Sequence, residues 1–543
     1  MYIALLAVFS SVIAYPAEKN LLTNGDFSTL TTQGVPVSWK LEGQNISVDK
    51  TAKLHVVKIA TREKYKKNWG SFRQQVSLNA GGLYIMTGEY KGNITEFLLV
   101  ASYPREIQKN VSLSRAIFEA GKDGWNKFRF KVLVPDGAKW IGMTLQAFSK
   151  NAGEVFEFRS FKLVPNANNA AAVPKPEVKT VPAVKATSVS RQGQFFLPEH
   201  IYAVPGVESN IYWKNIFLAI NYNNYFFDVD GAVGRNDQDR WRYTPKASEA
   251  GKSYPLTITV YNENGVVAKG STTVHVTAAD AGKGRNITLL MVGDSLTAAD
   301  IFSGRVKSLF DKEKEGVKLT MIGSCTNKNL PGVANEGYGG WTWASFLALG
   351  AQSKFLQKKN GVYEFDLKAY LEKYNNGKEP DFITFQLGVN DVFGVTDALR
   401  KYKIAEVLEN ADTLLAKFRK EAPNAIIGVG FTTPSASSQD SFGIHYKNGQ
   451  TVWGYMKNQF HLNQAMAVHF AEKMKKDKKL FLIPMQVNLD RDHNFPTMEE
   501  AINHGNSKKI IRQSNGVHPA HTGYYQMGDT LYAWLKYQLN QKK

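Results

Sequence analysis

Four short segments of this chain carry side chains able to do acyl chemistry together. Leu290-Met291-Val292-Gly293-Asp294-Ser295 ends a run of β-formers on a small-residue turn, and helix-compatible sequence follows. Such a turn aims a serine hydroxyl out of a sheet edge, and free N–H groups at a helix start suit a developing oxyanion. Asn335-Glu336-Gly337-Tyr338-Gly339-Gly340-Trp341-Thr342 has closely spaced glycines that leave backbone N–H groups open. Phe385-Gln386-Leu387-Gly388-Val389-Asn390-Asp391 places a carboxamide donor, Asn390, at the end of an apolar run. Ser514-Asn515-Gly516-Val517-His518-Pro519 offers an imidazole, which titrates near neutrality and can act as base and then acid.

The elements that must hold these segments form an α/β pattern from Ile287 onward. Apolar runs at Ile287–Val292, Leu319–Ser324, Phe382–Leu387, Ile426–Phe431 and Leu480–Pro484 read as strands. Leu399–Ala422, Trp453–Lys475 and Tyr524–Leu539 read as helices between and after them. The alternation predicts a mainly parallel sheet with helices on both faces and a site at the strand C-terminal edge.

Upstream the pattern is all-β. Residues 18–165 alternate in short runs such as Ser71–Val76, Leu83–Met86 and Lys127–Val132, which predicts a β-sandwich. Its opening, Asn20-Leu21-Leu22-Thr23-Asn24-Gly25-Asp26-Phe27-Ser28, and its close, Phe158-Arg159-Ser160-Phe161-Lys162-Leu163-Val164-Pro165, resemble jelly-roll carbohydrate-binding modules. Sugar faces stack on exposed rings, and Tyr65, Trp69, Trp125 and Trp140 are the candidates, with core or rim packing as the competing role. Residues 166–195, rich in Ala, Pro, Val and Lys, read as a semi-extended linker. Residues 196–280 are again strand-rich, carry an Asn264-Gly265 hairpin signal and resemble a small immunoglobulin-like sandwich serving as a spacer. Residues 1–17 resemble a secretory leader without its usual basic start, so the expected location is secreted, periplasmic or cell-surface.

The chain has 543 residues, which is too long for one core. Its net charge of +19 invites a polyanion reading, yet the lysine-rich stretches are interleaved with acids and read as solvated faces. No nucleic-acid partner and no integral membrane segment are expected, and the oligomeric state is left open. The single cysteine, Cys325, ends an apolar run and reads as a buried strand thiol; it excludes an intramolecular disulfide. His493, His504 and His521 lack a metal-ligand spacing, so no metal or other cofactor is assigned.

In order and block by block, the four segments resemble the SGNH, or GDSL-type, hydrolase family over residues 285–543. The resemblance implies a three-layer, flavodoxin-like domain, so that the chain as a whole is two β-sandwiches followed by an α/β hydrolase. It also implies a serine esterase with Ser295 as nucleophile and His518 as base. Its oxyanion donors would be the N–H of Ser295, the N–H of Gly340 (or Gly339, since the glycine is doubled) and the Asn390 amide. Asp294 and Asp391 read as turn and loop hydrogen-bonders. The chain departs from the family at Asn515, where an aspartate usually orients the histidine. Three alternatives follow: Asp490 or Asp492 supplies the carboxylate, a Ser–His dyad suffices with Asn515 or a backbone carbonyl orienting the ring, or the domain is a weak or dead hydrolase. With the sandwiches and the leader, the expected substrate is an O-acylated, most simply O-acetylated, polysaccharide. A lipid esterase or thioesterase, its pocket lined by Tyr338, Trp341, Trp343 and Phe393, and a glycan-binding protein with a degenerate hydrolase domain are the rivals.

Overall fold

The computed structural model describes residues 20–165 apart from 34, 43–45, 50–55, 61–70, 77–82, 92–95, 103–111, 118–123, 134–140 and 149–154, and residues 194–541 apart from 314, 360–361 and 447–448. The expected leader and nearly all of the expected linker lie outside these residues, as do Tyr65, Trp69 and Trp140. The chain is multidomain, with many sheets and several helices, and divides into two compact units, Met1–Lys179 and Thr180–Lys543.

The first unit holds two five-stranded antiparallel sheets. Phe27, Trp39, Phe128, Phe158 and Phe161 are buried and pack edge to face or tilted. Gly88 has no side chain because a Cβ there would lie 2.3 Å from the Phe161 ring. The opening and closing signatures are neighbours in space: Leu21 N–H donates to Leu163 O at 2.8 Å, and Asn20 Oδ1 accepts from Leu163 N–H at 2.9 Å. Trp125 is half-buried, with the Arg159 guanidinium 3.9 Å above its ring, so one of its faces is already stacked.

In the second unit, residues 200–276 form a four-stranded and a three-stranded sheet around Trp213, Phe227, Trp241, Ile258 and Val274. Glu263–Asn264 make the hairpin turn, and Gly265 takes φ +111°. Trp213 opens a one-turn helix and stacks on Phe227 at 5.1 Å. Rather than hanging as a spacer, this sandwich is packed on the α/β part, which contributes Val487 to its core. Phe196 meets Phe431 edge-on at 5.1 Å, and Asn210 N–H donates to Asn488 Oδ1 at 2.8 Å.

The five expected strands and the three expected helices of the α/β part are all present, their boundaries within one or two residues except at the start of the last helix, which begins three residues early at His521. Its elements are β1 (Asn286–Gly293), α1 (Ser295–Ala298), α2 (Ile301–Asp311), β2 (Lys318–Ile322), β3 (Ala334–Gly337), α3 (Leu367–Asn375), β4 (Phe382–Gln386), α4 (Val389–Val392), α5 (Arg400–Glu421), β5 (Ile426–Gly430), α6 (Gln439–Tyr446), α7 (Val452–Lys476), β6 (Leu480–Ile483) and α8 (His521–Asn540). Strand β1 is central and parallel to β4, to β2 over its first half and to β3 at its last two residues; β4, β5 and β6 continue the sheet in parallel. Period-two alternation sorts the strands onto two cores. Leu290 and Val292 join Ile383, Phe385, Ile427 and Val429 with Leu414 and Phe418 of α5 and Phe460 of α7. Ile287, Leu289 and Met291 join Phe302 and Val306 of α2 and Leu531 and Trp534 of α8. A hairpin, Thr497–Asn503 with Asn506–Gln513, precedes the His518 segment; nothing in the sequence reading anticipated it. Among the described residues no helix is long and apolar enough to cross a membrane.

Candidate active site

The site stands at the C-terminal ends of β1, β3 and β4. Ser295 follows β1 directly. Gly293 must be glycine, because a Cβ would sit 2.0 Å from Thr297 Oγ1 and 2.9 Å from the Gln386 carbonyl. Asp294 caps α1, its Oδ1 accepting from Leu296 N–H at 2.9 Å. The helix behind Ser295 is shorter than expected: α1 spans four residues, and Asp300 at φ +61° separates it from α2. A single turn contributes little macrodipole, so a negative charge placed beside Ser295 would be met by discrete N–H donors.

Asn390 follows β4 through Gly388, which takes φ +115° and whose Cβ would lie 2.4 Å from Thr432 Oγ1. Asn390 Nδ2 donates to Trp341 O at 2.9 Å, which leaves its second N–H uncommitted among the described residues. Gly340 takes φ +78° and has open space around it, so the loop exposes its backbone. Among the described residues no backbone carbonyl takes up the N–H of Gly339 or Gly340. Gly340, Asn390 and the half-buried Ser295 therefore line the same open edge.

His518 Nε2 lies 2.8 Å from Ser295 Oγ. With the hydroxyl donating, Nδ1 carries the ring proton, and no described residue accepts it. Asn515 does not face the ring: its Oδ1 accepts the backbone N–H of Val517 at 3.0 Å and of His518 at 2.9 Å, shaping the turn. Burial holds the His518 imidazole below its ordinary pKa, and nearby His445 adds to that direction. Helix α6 closes this side of the site, with Phe442 filling the space a Cβ on Gly516 would need and Tyr446 packed on Phe393 at 4.8 Å.

Neither proposed carboxylate partner reaches His518. Asp490 accepts from His493 Nδ1 at 3.0 Å and from the backbone N–H groups of Asp492 and His493, with Tyr212 of the sandwich at 3.5 Å. Asp492 pairs with Lys214 of the sandwich at 2.7 Å. The loop carrying both docks on the second sandwich and is committed there. The aromatic wall is also partly displaced. Trp343 is 1% exposed and stacks on Phe385 in the core, and Trp341 is 8% exposed beneath Tyr338 at 4.0 Å. Cys325 is half-buried rather than buried, and its thiol donates to Gly337 O at 3.7 Å. Among the described residues no group of three or more His, Cys, Asp or Glu side chains could hold a metal.

Three buried acids frame the site. Asp294 and Asp391 are fully buried, and each is pushed up to about 7, chiefly by burial. Glu336 is buried at the end of β3. Its place directly before the glycine loop was the available signal for it.

No protein-family model matches the chain, and no curated protein does. Among solved structures, a Clostridium thermocellum family 3 carbohydrate esterase is 16% identical, with 47% of this chain and 100% of that one covered and a TM-score of 0.32. A family 3 carbohydrate esterase of Talaromyces cellulolyticus is 13% identical over 47% and 100%, with a TM-score of 0.28. A xylan-binding domain of a Paenibacillus barcinonensis protein is 13% identical over 28% and 97%, with a TM-score of 0.22. The chain is thus similar, distantly and in parts, to carbohydrate esterases and to carbohydrate-binding modules.

Proposed function

We propose that this chain is an SGNH-type serine esterase that removes short acyl groups, most simply O-acetyl, from a complex carbohydrate outside the cytoplasm. The observation that carries the reading is the 2.8 Å approach of His518 Nε2 to Ser295 Oγ at a sheet edge bearing Asn390 and Gly340. Ser295 Oγ attacks the ester carbonyl carbon as its proton passes to His518 Nε2. The tetrahedral oxyanion is met by the Ser295 and Gly340 N–H groups and the free Asn390 N–H, each worth ~3 kcal/mol of barrier. As the intermediate collapses and the bond from the acyl carbon to the sugar oxygen breaks, His518 gives its proton to that oxygen, releasing the free sugar hydroxyl, and water cleaves the acyl-enzyme by the same route in reverse.

The catalytic pair works as a dyad. In a serine protease triad, asparagine in place of aspartate lowers kcat about 10⁴-fold because it imposes the wrong imidazole tautomer. Here the Asn515 oxygen is turned to the backbone and its amide makes no bond to the ring, so the productive tautomer is not opposed. The cost is an imidazolium without a counter-charge. A small acyl group is favoured over a long one because Trp341 and Trp343, candidates to line an extended apolar pocket, are packed into the core. The carbohydrate part of the reading rests on the jelly-roll signatures of the first unit.

Acetate release from acetylated polysaccharides, alongside hydrolysis of p-nitrophenyl acetate, tests the proposal against Ser295→Ala. Release abolished in the variant supports it. Undiminished release removes Ser295 from the chemistry, and glycan binding without turnover of any ester by the wild type identifies the degenerate-hydrolase alternative. A preference for long-chain p-nitrophenyl esters identifies the lipid-esterase one.

A further inference from the structure

Glu336 is a carboxylate with 0% exposure at the C-terminal end of β3, opposite Val292 of β1. Its partners are all neutral. Oε1 accepts from Ser324 N–H at 2.5 Å and Tyr370 O–H at 2.8 Å; Oε2 accepts from Ser324 Oγ at 2.9 Å and Tyr338 O–H at 2.5 Å. Among the described residues no cation joins it. A charge buried without a counter-ion is expensive unless every lone pair is met, and a fully met network is correspondingly rigid. The four donors come from three stretches of chain: the end of β2's loop, α3 and the glycine loop after β3.

The last of these points toward the chemistry. Tyr338 opens the loop that carries Gly339 and Gly340. Its N–H donates to Gly293 O at 3.1 Å, two residues before Ser295. Its ring lies on Trp341 with centroids 4.0 Å apart and planes at 20°, and Trp341 O accepts from Asn390 Nδ2 at 2.9 Å. Trp343 N–H, two residues on, bonds the buried Asp391. The glycine pair is thus suspended between Tyr338, fixed by Glu336, and Trp341, fixed by Asn390, while both glycines are exposed and a Cβ on either would meet nothing within 4 Å. Glycine is the residue least able to hold a conformation by itself.

We propose that Glu336 and Tyr338 are positioning residues for the oxyanion donors: the buried carboxylate anchors the phenol, and the phenol sets where the Gly340 N–H points relative to Ser295. This rests on the esterase reading for its catalytic consequence, whereas the anchoring of the loop does not. Oxyanion donors act on the transition state, so loosening them lowers kcat and leaves KM nearly unchanged.

The test compares Tyr338→Phe with Tyr532→Phe in the full chain. The control removes a similar tyrosine–glutamate bond, Tyr532 O–H to Glu313 Oε1 at 2.7 Å, on α8. Tyr338→Phe is expected to lower kcat on p-nitrophenyl acetate about tenfold at constant KM, and to speed amide exchange across residues 338–342. Tyr532→Phe is expected to change neither. Exchange across 338–342 at the wild-type rate in Tyr338→Phe overturns the anchoring, whatever the enzyme activity. Faster exchange with wild-type kcat overturns the positioning role. If the wild type shows no Ser295-dependent turnover, the esterase reading fails instead, and the exchange comparison still decides the anchoring. Glu336→Gln, whose amide cannot accept from all four donors, should reproduce the faster exchange if it folds.

Discussion

Asn515 Oδ1 accepts the backbone N–H of His518 at 2.9 Å, while the Nδ1 of that same histidine meets no described residue. On the esterase reading, the residue standing where the resemblance expects an aspartate holds the turn and brings no counter-charge to the ring. Asn515→Asp should restore it, since a carboxylate can hold the turn with one oxygen and offer the other to Nδ1–H. A hydrogen bond to a charged group contributes ~1.5–3 kcal/mol, so kcat on p-nitrophenyl acetate should rise about 10- to 100-fold. An adjacent negative charge also favours imidazolium, so the acid limb of kcat/KM should move to higher pH. An unchanged kcat with an unchanged limb would mean that the ring is already oriented by other means.

Asn390 has two tasks that one substitution separates from substrate binding. Its Nδ2 grips Trp341 O and still has an N–H for the oxyanion. Asn390→Ala should lower kcat about 10²- to 10³-fold with KM within a few-fold of wild type. A loss confined to KM would place Asn390 in ground-state binding rather than in the oxyanion hole.

Much of the fold and of the candidate site was legible because local rules govern both. Apolar runs bounded by glycine and polar residues gave five strands of the sheet, though not β3, and the Ser295 and Asn390 turns lie where such runs stop. What eluded the sequence was long-range competition for partners. Asp490 and Asp492 are two and four residues past Asn488 in a loop that a sequence places near the site. Lys214, Tyr212 and Asn210 of the sandwich claim that loop, and a contact across 278 positions leaves no local trace. Trp343 lies beside the glycine loop in sequence but faces the sheet interior in space, which its neighbours Thr342 and Ala344 do not disclose. The hairpin before His518 was hidden by its polarity: its strands are mostly exposed, so they carry no apolar run.

His445 is exposed on α6, yet its proximity is felt by His518 and lowers the pKa of that imidazole, second to burial. With the pKa held below its ordinary value, the neutral base persists into mildly acidic solution, and kcat/KM should stay on its plateau there. Removing the neighbouring imidazole in His445→Gln takes away a destabiliser of imidazolium, so the pKa of His518 rises and the acid limb moves to higher pH. The pH profile of kcat/KM for the two proteins checks the sign. A limb that moves to lower pH, or does not move, would show that the two rings are not electrostatically coupled.

Asp294 and Asp391 make a second, opposite demand on pH. Each is fully buried, Asp294 bonded to Leu296 N–H and Asp391 to Trp343 N–H, and each has one oxygen without a partner among the described residues. Burial raises both to about 7, and the charge of Asp391 adds to the shift on Asp294. A carboxyl that titrates higher in the folded chain than in the unfolded one binds more protons when folded between those two values. Stability from this source is therefore full near pH 4, falls as pH rises, and is gone above about 8. At about 1.4 kcal/mol per pKa unit, the effect is on the order of a few kcal/mol. Asp391→Asn keeps an acceptor for Trp343 N–H but cannot ionise, and it also relieves Asp294 of a neighbouring charge. The variant should match the wild type at and below about pH 4 and unfold at a higher temperature at pH 8, giving a flatter dependence of Tm on pH. Parallel Tm profiles for the two proteins would show that Asp391 is not neutralised in the folded state. In the wild type the two demands overlap: His518 needs the pH high enough to be neutral, whereas the carboxyl pair beneath Ser295 and Asn390 needs it low enough to stay protonated. The working window is set where both are met, and Asp391→Asn should widen it on the alkaline side by keeping the site folded there.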